Sequence, residues 1–361
     1  MGNDAGPVRA GIIGYGYAGR TFHAPLIAAT EGIELCAIAS SNAHKVAADY
    51  PGLFVHGSAA DLIAAPDIDL VVVATPNETH APLALAALAA GKHVVVDKPF
   101  ALDMVEARQL VAAAQASARH LCVFHNRRWD SDYLSVKAVI ESGMLGDVVH
   151  LESRLDRFRP QVRDRWRERA APGAGVWFDL GPHLVDQVLQ IFGLPDRITA
   201  NLAAQRQGAC VNDWAHVILD FGERRAVLQA SMSVAGGSHR FAVHGSAGSL
   251  VKRKADRQEE QLISGMVPGS SGWGKDADAM TVYHGDGRES SVPVRAGDQR
   301  EFYRQVVLAA SGSGRPPVRP IEALAVMEVL EAAARSFEER RSVPIRLSSD
   351  EVAAWHMKDP A

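Results

Sequence analysis

The sequence predicts an α/β protein in two parts. An N-terminal Rossmann domain with a doubly wound parallel sheet comes first, then an α+β domain with a mostly antiparallel sheet. Three observations carry this. Residues 8–22, VRAGIIGYGYAGRTF, read as an apolar strand, a glycine-rich turn and a helix start. The first third alternates short continuous Val/Ile runs with helical patterns, as expected for strands buried on both faces. After about residue 125 the strands lengthen and alternate apolar with polar residues, as in an antiparallel sheet with one solvated face.

Taken in order, strands are expected at 8–13, 33–39, 53–55, 69–74, 93–97 and 120–124. Helices are expected near 18–30, 43–49, 58–65, 78–90 and 103–118, with Pro82 tolerated in the first turn of its helix. A helix over 131–143 opens the second part. Strands follow over Val148 to Leu155, Trp214 to Phe221, Ala226 to Ser233 and Arg240 to Val243, the last leading into His244-Gly245-Ser246-Ala247-Gly248. The Gly/Ser-rich stretch 264–275 reads as a loop. Helices near 298–311 and 320–340 precede a short strand at 343–347. No internal repeat occurs. The boundary falls after residue 125, giving domains 1–125 and 126–361, with room for the C-terminal helices to pack back on the first.

The turn is Gly14-Tyr15-Gly16-Tyr17-Ala18-Gly19. Gly14 permits the tight strand-to-helix turn, Gly16 lets backbone approach a pyrophosphate, and Gly19 lets the helix pack closely. The N–H groups and dipole of the following helix favour the phosphate anions. Such a spacing is weak alone in a chain with 31 glycines, but a strand before it and a helix after it make it specific for a dinucleotide.

The cofactor expected is NADP(H) rather than NAD. An NAD site places an acid at the end of the second strand to bond the ribose 2′-OH. Here Ile33–Ala39 ends in Ser40-Ser41-Asn42, with Lys45 within one helical turn. Hydroxyls, an amide and a cation suit a 2′-phosphate, which a carboxylate would repel. A Ser/Asn helix cap accounts for the same residues, and the two readings are compatible.

Composition bounds the remaining classes. At 361 residues the chain holds two domains, with 47% apolar and 22% charged residues, ordinary for a globular enzyme. The net charge of −4 suggests no polyanionic partner. Arginines cluster at 154–169, but Asp156, Asp164 and Glu168 interrupt them, which favours a solvated or substrate-facing segment over a nucleic-acid patch. Cys36 and Cys122 lie in apolar strand patterns and are expected as buried thiols, not disulfides or metal ligands. No charged-then-apolar leader and no 18-residue apolar span occur, so a cytoplasmic protein without a membrane partner is expected.

Ligands of open α/β sheets bind beyond the carboxyl ends of the strands. Strand 69–74 ends in Thr75-Pro76-Asn77-Glu78-Thr79-His80, and strand 93–97 in Asp97-Lys98-Pro99-Phe100. Lys98 is therefore placed toward a nicotinamide, although an ordinary loop lysine fits the same position. A third end, Phe124-His125-Asn126-Arg127-Arg128-Trp129, adds polar groups. Further on, Asp179 and His183 are i and i+4 on a helix and share a face, and Asp186 follows at i+3 to orient the imidazole. Histidine titrates near neutral pH and can carry the proton that accompanies hydride transfer. A capped helix with a satisfied histidine, or a metal site at Asp179, His183 and Asp186, would fit the same residues. No second His or Cys stands at ligand spacing, so no metal is expected.

These motifs together resemble the Gfo/Idh/MocA oxidoreductases, over nearly the whole chain. The resemblance lies in the glycine turn, Thr75-Pro76-Asn77-x-x-His80, Gly91-Lys92-His93-Val94-Val95-Val96-Asp97-Lys98-Pro99, and Gly173-x-Gly175-x3-Asp179-x-Gly181-x-His183-x2-Asp186. Within the family, Phe22-His23-Ala24-Pro25, His125-Asn126-Arg127-Arg128-Trp129-Asp130 and Asp156-Arg157-Phe158-Arg159-Pro160 look like the branch with NADP-dependent scyllo-inositol dehydrogenases. The resemblance implies a large open sheet in the second domain, one face of which builds a homodimer or homotetramer. It implies Lys98, Asp179 and His183 as the catalytic group. Two departures occur: Asp97 stands where the family usually has Glu, and Ala174 where many members have Gly.

The expected chemistry is hydride transfer between the nicotinamide and a secondary alcohol or ketone of a cyclic polyol or sugar. His183 takes the hydroxyl proton, Lys98 stabilises charge on the oxygen, and Asp179 orients His183 or the substrate. His125, Asn126, Arg127, Tyr133, Asp156, Arg165 and Trp166 are candidate substrate contacts. Two rivals of the same fold family are a glycosidase with a tightly held dinucleotide and a non-catalytic dinucleotide-sensing regulator. The second could dispense with Lys98 and His183, and this chain keeps both.

Overall fold

The computed structural model describes residues 6–357. The chain divides into two compact units. The first holds residues up to Asn126 with Gln258–Trp273 and Asp298–Leu324, and the second holds Arg127–Arg257, Gly274–Gly297 and the chain from Ala325 on.

The first unit begins with β1 (Val8–Ile13), a single π-helical turn (Gly19–His23) and α1 (Ala24–Ala28). There follow β2 (Ile33–Ala39), α2 (Ala43–Asp49), β3 (Phe54–His56), α3 (Ala59–Ala64), β4 (Leu70–Val73), α4 (His80–Ala89), β5 (His93–Val96), α5 (Met104–Ser117) and β6 (Leu121–Val123). All six expected strands form, and they pair in parallel in the order β3-β2-β1-β4-β5-β6. The Val runs are buried on both faces, as their continuity requires: Val71, Val72, Val73, Val95 and Val96 are wholly inaccessible. Each such side chain contributes about 1.5–3 kcal/mol relative to exposure, offset by the cost of ordering it. Three helices of the unit, α2, α3 and α5, start where short polar side chains cap them. Asn42 Oδ1 accepts from Lys45 N at 3.0 Å, Ser58 Oγ from Asp61 N at 3.1 Å, and Asp103 Oδ1 from Glu106 N at 2.8 Å. The expected helix 18–30 is instead the π-helical turn followed by the short α1.

The second unit contains α6 (Ser131–Glu141), β7 (Val148–Asp156), α7 (Val176–Phe192), β8 (Arg197–Ala203), β9 (Trp214–Phe221), β10 (Arg224–Ser231), β11 (Phe241–Gly245) and β12 (Gly248–Lys252). Next in sequence, α8 (Gln258–Ile263) belongs to the first unit, β13 (Met280–His284) and β14 (Glu289–Val292) to the second, and α9 (Arg300–Ala310) to the first. The chain closes with α10 (Pro320–Glu339), β15 (Val343–Pro344) and α11 (Ser349–His356).

Nine strands form a sheet in the order β14-β13-β12-β11-β7-β10-β9-β8-β15. Only β7 and β10 run parallel; the other pairs are antiparallel. Burial alternates strictly along β9: Ala215, Val217, Leu219 and Phe221 are buried, and their neighbours are half-buried. α7 packs on the buried face, against β7, β9 and β10. Arg240 and Lys252, both buried within this unit, are paired. Arg240 donates to Asp132, Ser153 and Gln187, and Lys252 lies 3.0 Å from Asp276 and 2.6 Å from Asp278. β8, β12, β13 and β14 were not expected from the sequence, and the strand expected at 343–347 shrinks to two residues. Cys122 is buried, which pushes its thiol up to about 12, whereas Cys36 on β2 is only half-buried, contrary to expectation.

Candidate nucleotide cleft and catalytic residues

The glycine turn has the geometry each residue was assigned. Gly14 has φ +97°, and a Cβ on it would stand 2.5 Å from Ala74 O. A Cβ on Gly19 would stand 2.1 Å from Gly14 O, so only glycine lets the helical turn close onto the loop. A Cβ on Gly16 meets nothing within 4 Å, so its face opens into space that a methyl group would fill. This is the cradle a pyrophosphate needs.

A cleft of about 390 Å³ lies before this turn. It brings together Gly14, Tyr15, Gly16, Ser40, Ser41, Lys45 and Thr75 of the expected nucleotide set, with Asn42. Lys45 Nζ donates to Tyr15 O at 3.1 Å and lies 5.7 Å from the Tyr15 ring centroid, which fixes a cation at the end of β2. Tyr15 OH in turn donates to Asp49 at 2.9 Å, and Arg20 also bonds Asp49. That carboxylate is thus spent on a phenol and a guanidinium. Gly57, Ser58 and Ala59 also line the cleft and were missed. The signal was present as Ser58-x-x-Asp61, a capped helix start directly after β3.

The remaining nucleotide candidates lie elsewhere in the first unit. Tyr17 is exposed, with its hydroxyl 2.8 Å from Glu259, and Ala18 precedes the π-helical turn. Pro76 and Asn77 lead a 3-10 turn, where the Thr75 and Thr79 hydroxyls are 2.6 Å apart. His80 is buried between two carbonyl oxygens, Pro99 O at 2.8 Å and Thr75 O at 2.9 Å. It ties the loop after β4 to the loop after β5. In the latter, Asp97 Oδ1 accepts from Lys98 N at 2.8 Å, and Lys98 is half-buried. Of the third strand end, His125 and Asn126 are buried, and Asn126 donates to Gln299 at 3.0 Å.

His23 lies nearby in the same unit. It is fully buried, with Nδ1 2.6 Å from the Tyr303 hydroxyl and its ring 4.2 Å from that of Phe124. Burial holds its pKa down to about 4, with Asp97 pulling the other way and His80 adding to the lowering. The native ring therefore refuses a proton that the unfolded chain accepts below about pH 6.5. Stability is expected to fall as pH drops from 6.5 toward 4, by about 2 kcal/mol at pH 5 from this ring. Urea midpoints of wild type and His23→Gln at pH 7 and pH 5 check this: the two should converge on acidification.

In the second unit, α7 carries Asp179 and His183. The helix begins at Gly175, φ +92°, where a Cβ would stand 2.8 Å from the Asn212 amide. Asn212 accepts from the first turn, with its backbone carbonyl at 2.7 Å from Val176 N and its side chain at 2.9 Å from Trp177 N. Gly181 lets the helix pack under the Trp177 ring and Leu330, where a Cβ would stand at 2.9 and 3.0 Å. His183 is 6% exposed. Asp179 pairs with Arg167 at 3.5 Å. Asp186 gives both carboxylate oxygens to Arg128, at 2.6–3.2 Å, which replaces the expectation that it orients the imidazole. A narrow crevice, with room for about one water at about 20 Å³, runs beside Asp179, Arg165, Arg167, Glu168, Arg206 and Asn212.

The other substrate candidates of this unit are mostly engaged. Arg127 pairs with Asp130 at 3.0 Å, Arg165 with Glu168 at 2.9 Å, and Asp156 accepts from Gln229 and Ser238. Tyr133 is buried in α6. Trp166 falls in the 3-10 turn Trp166–Glu168, and its side chain lies outside the described residues. No helix among the described residues is long and apolar enough to cross a membrane.

A parallel sheet in the order 3-2-1-4-5-6 with a glycine turn at the first strand end defines a dinucleotide-binding fold. Comparison with known proteins gives the family. Residues 8–125 match the oxidoreductase family's NAD-binding Rossmann fold, and residues 137–345 its C-terminal alpha/beta domain. The chain belongs to the Gfo/Idh/MocA oxidoreductases. It is 48% identical over 339 residues to the uncharacterized oxidoreductase YdgJ of Escherichia coli K12, covering 93% of this chain and 98% of that one. It is 34% identical over 341 residues to the scyllo-inositol 2-dehydrogenase (NADP(+)) IolW of Bacillus subtilis 168, covering 93% and 95%. A crystallised candidate oxidoreductase from Klebsiella pneumoniae is 50% identical and superposes with a TM-score of 0.92, covering 97% of this chain and 98% of its own.

Proposed function

We propose that this oxidoreductase is an NADP(H)-dependent dehydrogenase acting on a secondary alcohol, or its ketone, of a cyclic polyol or sugar. The observation that carries the cofactor reading is the end of β2. Ser40, Ser41 and Asn42 line the cleft with Lys45 fixed beside them, and the nearest acid of α2, Asp49, is spent on Tyr15 and Arg20. The name of the Bacillus subtilis relative supports both the cofactor and the substrate class. Cofactor binding is assigned to residues 1–125 and substrate binding to 126–361.

The nicotinamide, when bound, supplies or takes the hydride. The chain's own groups manage the oxygen and its proton. His183 accepts the hydroxyl proton as the carbinol carbon is oxidised, and returns it in the reverse direction. Lys98 donates a hydrogen bond to the same oxygen and offsets its developing charge. Asp179 holds the His183 ring or a substrate hydroxyl. A base and a cation serving one hydroxyl distinguish this reading from a dinucleotide sensor, which needs neither.

The test of the cofactor is kcat/KM with NADP and with NAD. NADP is expected to win. Lys45→Glu should lower kcat/KM for NADP by roughly ten- to a hundredfold, the loss of one charge-assisted contact, and affect NAD far less. A wild-type preference for NAD would overturn this assignment.

A further inference from the structure

Seven arginines fall between Arg154 and Arg169, and the acids of that segment do not offset them all. Asp164 pairs with Arg169, and Glu168 is shared by Arg165 and Arg206. Asp156 accepts from Gln229 and Ser238. Arg159 is half-buried, and among the described residues its guanidinium has no hydrogen bond and no ion pair.

Arg159 does not sit at the end of a loose loop. Its N–H donates to Met232 O at 2.7 Å, its carbonyl accepts from Arg206 at 3.1 Å, and Phe158 before it bridges to Ser233. Met232 and Arg206 both line the crevice beside Asp179. Burial lowers the pKa of Arg159, and Arg157, Arg163 and Arg165 lower it further; only Asp179 acts in the other direction. A partly desolvated cation among like charges is costly, and a bound anion removes that cost.

We propose that Arg159 is the recognition group for an oxyanion, a carboxylate or a phosphate ester, carried by the substrate whose hydroxyl Asp179 and His183 serve. This rests on the dehydrogenase reading for the identity of the site, and narrows its substrate to an anionic polyol or sugar. A guanidinium presents a planar fork that matches either anion with two parallel N–H donors. A neutral polyol leaves that fork unused.

The test is binding of D-gluconate and of inorganic phosphate to the full-length protein saturated with NADP+, so that the nucleotide cleft is occupied. Chloride holds the ionic strength constant, and sorbitol is the uncharged control. At least one of the anions is expected to bind wild type about tenfold or more tightly than Arg159→Gln, with sorbitol unaffected by the substitution. Which anion does so separates a carboxylate from a phosphate. Equal affinities of wild type and Arg159→Gln for both anions overturn the proposal. Thermal melts establish that the variant is folded; if it is not, Arg159→Lys takes its place, with a threefold or greater loss expected and unchanged affinity overturning the proposal. Failure of NADP+ to bind overturns the cofactor reading instead, and the comparison between wild type and variant is then read without nucleotide.

Discussion

Lys98→Ala and His183→Ala are each expected to lower kcat by roughly 10²–10⁴-fold while leaving the Kd for NADP(H) within about twofold, since proton transfer and oxyanion stabilisation are worth that much. The double variant should cost about as much as the worse single one. Groups that act as a unit on one proton are strongly non-additive, whereas independent structural defects would multiply. Lys98→Arg should not restore the rate, because a broad planar fork does not replace a compact ammonium at one oxygen. Steady-state kinetics with a polyol that reduces NADP, together with fluorescence titration of NADPH, separate the two effects. Turnover that survives Lys98→Ala nearly intact would sink the mechanism.

Gly19→Ala is expected to destabilise the first unit by about 1–3 kcal/mol or more and to weaken NADP(H) binding at least a hundredfold, because overpacking against main chain has little room to relax. The added Cβ would stand 2.1 Å from Gly14 O, and Gly14 is held in place by its N–H, which donates to Ala39 O at 3.0 Å. Gly16→Ala makes the contrast. Its Cβ meets no atom within 4 Å, so the melting temperature should hold while nucleotide affinity falls. A Gly16→Ala protein that binds NADP(H) as wild type does would show that the phosphates do not lie against this turn.

Much of the first unit was legible because its determinants are local. Unbroken Val runs need burial on both faces, and the consequence is a parallel sheet covered by helices. Asn42 signals a helix cap and does cap α2. Ser58 carries the same signal at the start of α3, and the cap places it on the wall of the cleft. In the second unit the pattern failed where strands depend on neighbours. β14, Glu289–Val292, is polar and lies at the sheet edge, and β12 opens on Gly248; each holds a single β-branched residue. Pairing with β13 supplies what their side chains do not.

Strand periodicity, a forced positive φ and the sign of a side chain's charge are properties of short segments, so the Rossmann sheet, the glycine turn and the acid-free end of β2 were readable without coordinates. Tertiary structure alone decided which charges remain available. Asp186 goes to Arg128, Glu168 goes to two arginines, and Arg159 is left without an acid, since ion pairing depends on which residues, distant in the chain, come within a few ångströms of one another.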